Sequence, residues 1–207
     1  MEENILTVKG ISKEFSKVRV LNNIRVDIQK GEIFGIIGEN GAGKSTLIKI
    51  ISGIYTPTEG ELFFEGEQIT HYNPQNAREF GISLIPQEFN LINELNVFEN
   101  IFLGKEYQKG VLLDKKKMID KSQELLSMLH TQILPTDRVQ NLSVAKKQMI
   151  EIAKALAYES KLLIMDEPTT VLTGAEIELL FKLMRRLKEH GVTIIYISHK
   201  LNEVRYK

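Results

Sequence analysis

The chain has 207 residues, 43% hydrophobic and 26% charged, enough for one sizeable globular domain or a domain with a subdomain. Lys+Arg and Asp+Glu both number 27, so no basic excess argues for nucleic acid as a partner. Without cysteine there are no disulfides, thiolate metal sites or Cys nucleophiles; the start, MEENILTVKG, does not read as a signal peptide, and no apolar run approaches the roughly 20 residues that span a bilayer, so a membrane role would come through a partner.

The first third reads as strands. NILTVKGISKEF, VRVLNNIRVDI, EIFGIIG and GELFFEGEQI are rich in Val, Ile and Phe and are separated by Gly or Asn. EIFGIIG is short and apolar and runs into a Gly-rich turn, which predicts a buried parallel strand. KSTLIKIISGI follows with helical spacing. A middle region, about 88–157, is richer in helix formers, with KKKMIDKSQELLSMLH and then NLSVAKKQMIEIAKAL. A strand–helix–strand unit comes next: KLLIMDEP, AEIELLFKLMRRLKEHG, VTIIYISHK. Two apolar strands joined by an amphipathic helix predict a right-handed crossover in a mainly parallel sheet, hence an α/β fold.

GENGAGKST, residues 38–46, fits the pattern G-x-x-x-x-G-K-[ST], with an apolar strand before it and a helix after it. Its glycines, Gly38, Gly41 and Gly43, let the backbone wrap a phosphate with N–H groups inward. Glu39, Asn40, Ala42 and Thr46 complete the loop. Lys44 is placed to reach β- and γ-phosphates and Ser45 to hold Mg²⁺. The pattern in this context predicts a nucleotide-binding P-loop core, with a plain Gly-rich turn as the alternative.

Asp166 and Glu167 end the apolar strand LLIM, on the rim where open α/β sheets bind ligands. Asp166 is suited to anchor Mg²⁺, and Glu167 to polarise an attacking water as a general base. The alternative is an acidic cap for the next helix. His199 follows the strand TIIYIS and reaches the same rim, where it can donate to a γ-phosphate and hold the water in line. His71, His130 and His190 carry no such signal.

Taken together, these residues resemble the nucleotide-binding domain of ATP-binding cassette (ABC) proteins, over essentially the whole chain and in the family's motif order. The resemblance implies a P-loop core with an N-terminal antiparallel β subdomain and an inserted helical subdomain: 1–87 with 158–207 around 88–157. Phe15 in SKEFSK sits where the family places an aromatic that stacks on adenine; a core phenylalanine is the alternative. Gln87 in LIPQEF matches the glutamine loop, which adds it to the ATP and Mg²⁺ contacts. LLIMDEP resembles the Walker B segment, TTVLT (169–173) the D-loop, and YISHK the switch histidine.

LSVAK, comprising Leu142, Ser143, Val144, Ala145 and Lys146, occupies the place of the family signature, most often LSGGQ. In the family two domains pack head to tail, and each signature closes over the other domain's phosphate loop. Here Val144 and Ala145 replace both glycines, which limits approach of backbone to phosphate, and Lys146 replaces the glutamine. The wording around it is similar to the first cassette of tandem ATPases in bacterial simple-sugar importers, the ribose, galactose and xylose types. That resemblance implies an ATPase that works with a second cassette, the C-terminal half of the same native chain. It implies membrane permease subunits, a sugar-binding protein at one remove, and a peripheral location on the cytoplasmic face. It also implies that the domain's last strands lie beyond Lys207, so that the chain is a fragment. The competing expectations are a nucleotide-binding scaffold and a non-transport member of the same family.

Overall fold

A computed structural model describes residues 3–199 of the chain. In chain order its strands and helices are β1 (Asn4–Phe15), β2 (Val18–Gln29), β3 (Ile33–Ile37), α1 (Lys44–Ile51), β4 (Glu59–Phe64), β5 (Glu67–Gln68), α2 (Pro74–Phe80), β6 (Ile82–Ile85), α3 (Val97–Ile101), β7 (Gln108–Lys109), β8 (Leu112–Leu113), α4 (Lys115–Met128), α5 (Val144–Ala157), β9 (Leu162–Asp166), α6 (Gly174–Glu189) and β10 (Thr193–Ser198). A 3-10 turn over Val139–Asn141 leads into α5.

Two main sheets form. One is antiparallel, in the order β2-β1-β4-β5, and the other runs β3-β10-β9-β6 with every pair parallel. Side chains alternate across a strand, and the parallel sheet uses both faces. Leu162, Ile164, Ile195 and Ile197 point into a core shared with α1 and the antiparallel sheet. Leu163, Met165, Ile194 and Tyr196 point into a second core shared with α3, α4, α5 and α6. A strand covered on both faces must be apolar at every position, which is why LLIM and TIIYI carry no polar alternation. At about 1.5–3 kcal/mol per fully buried large aliphatic side chain, these two cores hold β9 and β10 rigidly in place.

Two strand readings are revised: GELFFEGEQI is split by a turn into β4 and β5, which pair with each other, and β3 is less buried than a central strand. β3 pairs in parallel with β10, yet its residues are only half-buried, because among the described residues it lies at the edge of its sheet. Besides α3 (Val97–Ile101), two features had no counterpart in the sequence reading. The first is α2, whose signals are local: Asn73 caps it by accepting from the Asn76 N–H at 2.8 Å, Pro74 opens it, and Gly81 closes it in the left-handed region. The second is the short hairpin of β7 and β8.

α6 shows how the crossover helix is set. Thr173 and Glu176 form a reciprocal capping box at its start, and Leu180, Leu183, Met184 and Leu187 bury one stripe. Glu167 is therefore not the cap of this helix. No helix among the described residues is long and apolar enough to cross a membrane.

Candidate functional site

The loop between β3 and α1 is built around left-handed backbone. Gly41 has φ 85° and Gly43 has φ 88°. A Cβ at Gly41 would meet nothing within 4 Å, so glycine is needed there for conformation and the space beside it stays open. A Cβ at Gly43 would sit 2.7 Å from Leu21 Cδ2 and 3.1 Å from the Val20 carbonyl oxygen, so glycine is needed there for space as well. Gly43 caps α1 with no side-chain acceptor, and the first turn of α1 carries no acidic residue. The free N–H groups and the positive end of the helix are thus left uncompensated.

Lys44 is buried, and its ammonium donates to the carbonyl oxygens of Gly38 at 2.7 Å and Glu39 at 2.9 Å. A buried cation held only by loop carbonyls is poised to exchange them for a phosphate oxygen, which carries a full charge. Ser45 is exposed one residue into α1.

The parallel register brings the other candidates to the same rim. Ile37 pairs with Ser198, Ile197 with Asp166, and Ile85 with Met165, so the phosphate loop, His199, Asp166 with Glu167, and Gln87 all leave the same edge of the sheet. Asp166 is half-buried. Burial and the neighbouring Glu167 carboxylate raise its pKa, and the Lys49 and Lys44 ammonium groups offset part of that rise. An acid held so is short of positive charge, as a cation-binding carboxylate is before its metal arrives. Glu167 takes left-handed backbone at φ 48°, and its N–H donates to the Ile197 carbonyl at 3.2 Å. A non-glycine residue in that region is uncommon and costs about 1–3 kcal/mol. The turn aims the Glu167 side chain at His199, whose Nδ1 lies 3.1 Å from Glu167 Oε2.

Gln87 is exposed two residues beyond β6. Phe15 ends β1 and is 37% exposed; its ring meets the Tyr55 edge at 5.3 Å and 71°, with Lys13 Nζ 5.0 Å from its centre. It is not a core side chain. The signature-like residues open α5: Ser143 caps it by accepting weakly from the Lys146 N–H at 3.4 Å, Leu142 packs on the second core, and Val144 is 41% exposed. Among the described residues no hydrogen bond or ion pair joins 142–146 to the phosphate loop. Lys49 was missed by the sequence reading, since in sequence it is only a polar position on an amphipathic helix.

These residues can do two things chemically. The loop N–H groups, the start of α1 and Lys44 can hold a polyphosphate. Glu167 and His199 can position and deprotonate a water beside it. Among the described residues no cluster of three or more His, Asp or Glu could hold a metal alone. A divalent cation there would need oxygens from a bound nucleotide and water, which is how Mg²⁺ is usually held.

Comparison with known proteins adds the following. Residues 21–170 match the family described as ABC transporter. The chain is 44% identical over 201 residues to the galactose/methyl galactoside import ATP-binding protein MglA of Clostridium perfringens, covering 97% of this chain and 39% of that protein. It is 48% identical over 200 residues to a putative ribose/galactose/methyl galactoside import ATP-binding protein of Agrobacterium fabrum, covering 97% and 40%. The chain thus spans about two fifths of the length of the curated relatives it matches. Its fold is similar to a nucleotide-free ATP-binding cassette from an ABC transporter, with TM-score 0.88 and 29% identity over 98% of this chain and 84% of that one. It is also similar to a dimeric bacterial ABC transporter cassette, with TM-score 0.81 and 26% identity over 97% and 90%.

Proposed function

This chain belongs to the ABC transporter family, and we propose that it is an ATP-hydrolysing cassette, the first of two in its native protein, that energises import of a simple sugar through membrane subunits. The observation that carries this reading is the convergence of Lys44, Asp166, Glu167 and His199 on one rim of the parallel sheet. The names of the relatives, galactose and ribose import ATP-binding proteins, support the sugar.

ATP binds with its phosphates over the open side of Gly41 and its adenine against Phe15. The loop N–H groups and Lys44 take the phosphate oxygens, Lys44 giving up the carbonyls of Gly38 and Glu39. Ser45, Gln87 and Asp166 would hold Mg²⁺. The raised pKa of Asp166 fits that assignment, since a divalent cation would remove the charge deficit that burial creates. When bound, Mg²⁺ would neutralise charge developing on the phosphates.

Glu167 accepts a proton from the attacking water, and His199 fixes the Glu167 carboxylate through Nδ1. With both ring nitrogens protonated, the other N–H of His199 would donate to the γ-phosphate. The water oxygen bonds to phosphorus as the bond to the bridging oxygen breaks, giving ADP and phosphate.

The signature that closes over this site comes from the second cassette. Residues 142–146 serve that cassette's site in return, with Val144 and Ala145 holding their backbone off the phosphate. The cassette works at the cytoplasmic face of the membrane, and Gln87 passes its state to the permease. A nucleotide-binding scaffold remains the reading for the second site alone, on the strength of those two side chains. The test is Glu167→Gln in the full-length protein. Retained ATP binding with turnover lowered about 10²–10⁴-fold, the usual span for a lost general base, supports the assignment. Undiminished hydrolysis overturns it.

A further inference from the structure

The chain that leaves the Gln87 loop is tied to the helix that carries the signature-like residues. Three side chains of α5, at spacings of four and three residues, lie on one face of the helix and grip residues 90–93. Lys147 Nζ donates to Asn93 Oδ1 at 3.0 Å, Glu151 Oε1 accepts from the Asn90 N–H at 2.6 Å, and Lys154 Nζ donates to the Asn90 carbonyl at 3.3 Å. From the opposite side Asn100 of α3, fully buried, accepts from the Ile92 N–H at 2.7 Å and donates to the Ile92 carbonyl at 3.0 Å. The Gln140 N–H, in the turn that leads into α5, donates to the Asn93 carbonyl at 3.1 Å.

Residues 90–93 belong to no helix or strand, yet the N–H and carbonyl of both Asn90 and Ile92 and the Asn93 carbonyl are all hydrogen-bonded. Glu151 is the costly member. It is 5% exposed. Burial raises its pKa, and the Asn90 N–H and the Lys154 charge act against that rise. A carboxylate kept in such a place for a single backbone N–H has a positional job, because an alanine there would avoid the desolvation cost altogether.

We propose that Glu151, flanked by Lys147 and Lys154, is a positioning residue that locks residues 90–93 to α5, so that displacement of the Gln87 loop moves the signature-like start of α5 with it. This rests on the cassette reading above. Residues 90–93, which follow Gln87 in the chain, and residues 142–146 then move as one body.

The test uses the full-length protein with Glu151→Ala, Glu151→Gln, Lys154→Ala, and Glu151→Ala combined with Gln87→Ala. Glu151→Gln keeps an acceptor oxygen for Asn90. It should leave ATP affinity, turnover and amide exchange of residues 87–93 within about threefold of the parent. Glu151→Ala should leave ATP affinity within about threefold, speed exchange across 87–93 at least tenfold, and lower kcat at least tenfold. Lys154→Ala, at an exposed bond unable to unfold the chain, should move both readouts the same way by less. The double variant should be no slower than Gln87→Ala alone, since both act on one moving body. Unchanged exchange in Glu151→Ala, or additive losses in the double variant, would overturn the proposal. Loss of hydrolysis in the parent itself would instead strike the cassette reading, and the exchange measurement would still judge the lock.

Discussion

His199 Nδ1 and Glu167 Oε2 lie 3.1 Å apart, one just past the end of β10 and the other just past the end of β9. The adjacency of these two parallel strands makes the contact between residues 32 apart in sequence. Glu167 is 15% and His199 37% exposed at the side chain, so the carboxylate is partly withdrawn from water while the ring stays open to a ligand.

His199→Ala frees that carboxylate to rotate. ATP affinity should hold within a few-fold, and kcat should drop by about 10–10³, toward the loss expected when a catalytic base is misplaced. Single-turnover kinetics in the full-length protein will separate the two. A raised KM with unchanged kcat would assign His199 to binding alone.

Asp166 opposes folding of the nucleotide-free chain. Burial raises its pKa in the folded state, so the folded chain binds a proton more readily than the unfolded chain. The stability this carboxyl allows is complete below its unfolded pKa, declines as pH rises through the raised folded value, and stays lost at neutral pH. Asp166→Asn should therefore melt a few degrees higher than the parent at pH 7 without nucleotide, and the gap should close on acidification through the carboxylate range. The same variant should lose the Mg²⁺-dependent part of its ATP affinity. Thermal melts with and without Mg-ATP will read both effects.

Gly43→Ala forces a Cβ to within 2.7 Å of Leu21 and keeps it in left-handed backbone. The expected cost is about 1–3 kcal/mol, with a weaker phosphate site because the loop must shift to relieve it. Gly41→Ala meets no atom within 4 Å and should show the conformational cost alone. Denaturant unfolding and nucleotide titration of the pair will separate strain from crowding.

Val144→Gly with Ala145→Gly restores the glycine pair at the start of α5. Val144 is already 41% exposed, so little core is lost. At the first two positions of α5, each glycine costs less than the roughly 1 kcal/mol of a helix-interior site. If residues 142–146 close over the second cassette's phosphates, this double variant of the full-length protein should tighten ATP at that second site. An unchanged second site would remove residues 142–146 from the proposal.

If, as proposed, the closing signature is supplied by another cassette, the 207-residue chain alone should bind Mg-ATP weakly and turn it over very slowly. Brisk hydrolysis by the pure chain would count against the composite site.

Local chemistry was enough for much of this protein. Glycine spacing before Lys44, acids after LLIM and a histidine after TIIYIS mark out candidate site residues because each signal depends on a few neighbouring residues and on a strand end, and apolar runs mark strands well. The span of β1 and the helical character of α1, α4 and α5 follow from hydrophobic periodicity. What no local pattern holds is distance across the chain. The half-exposed edge position of β3 depends on which strands flank it. The pairing of Glu167 with His199 depends on β9 lying beside β10. The charge around Asp166 depends on Lys49 arriving from another helix. The tie between Asn90 and Glu151 spans 61 residues. Short-range order comes from backbone torsions and hydrophobic period. Hydrogen bonds and electrostatics act between whichever groups packing brings together, and only the folded chain decides which those are.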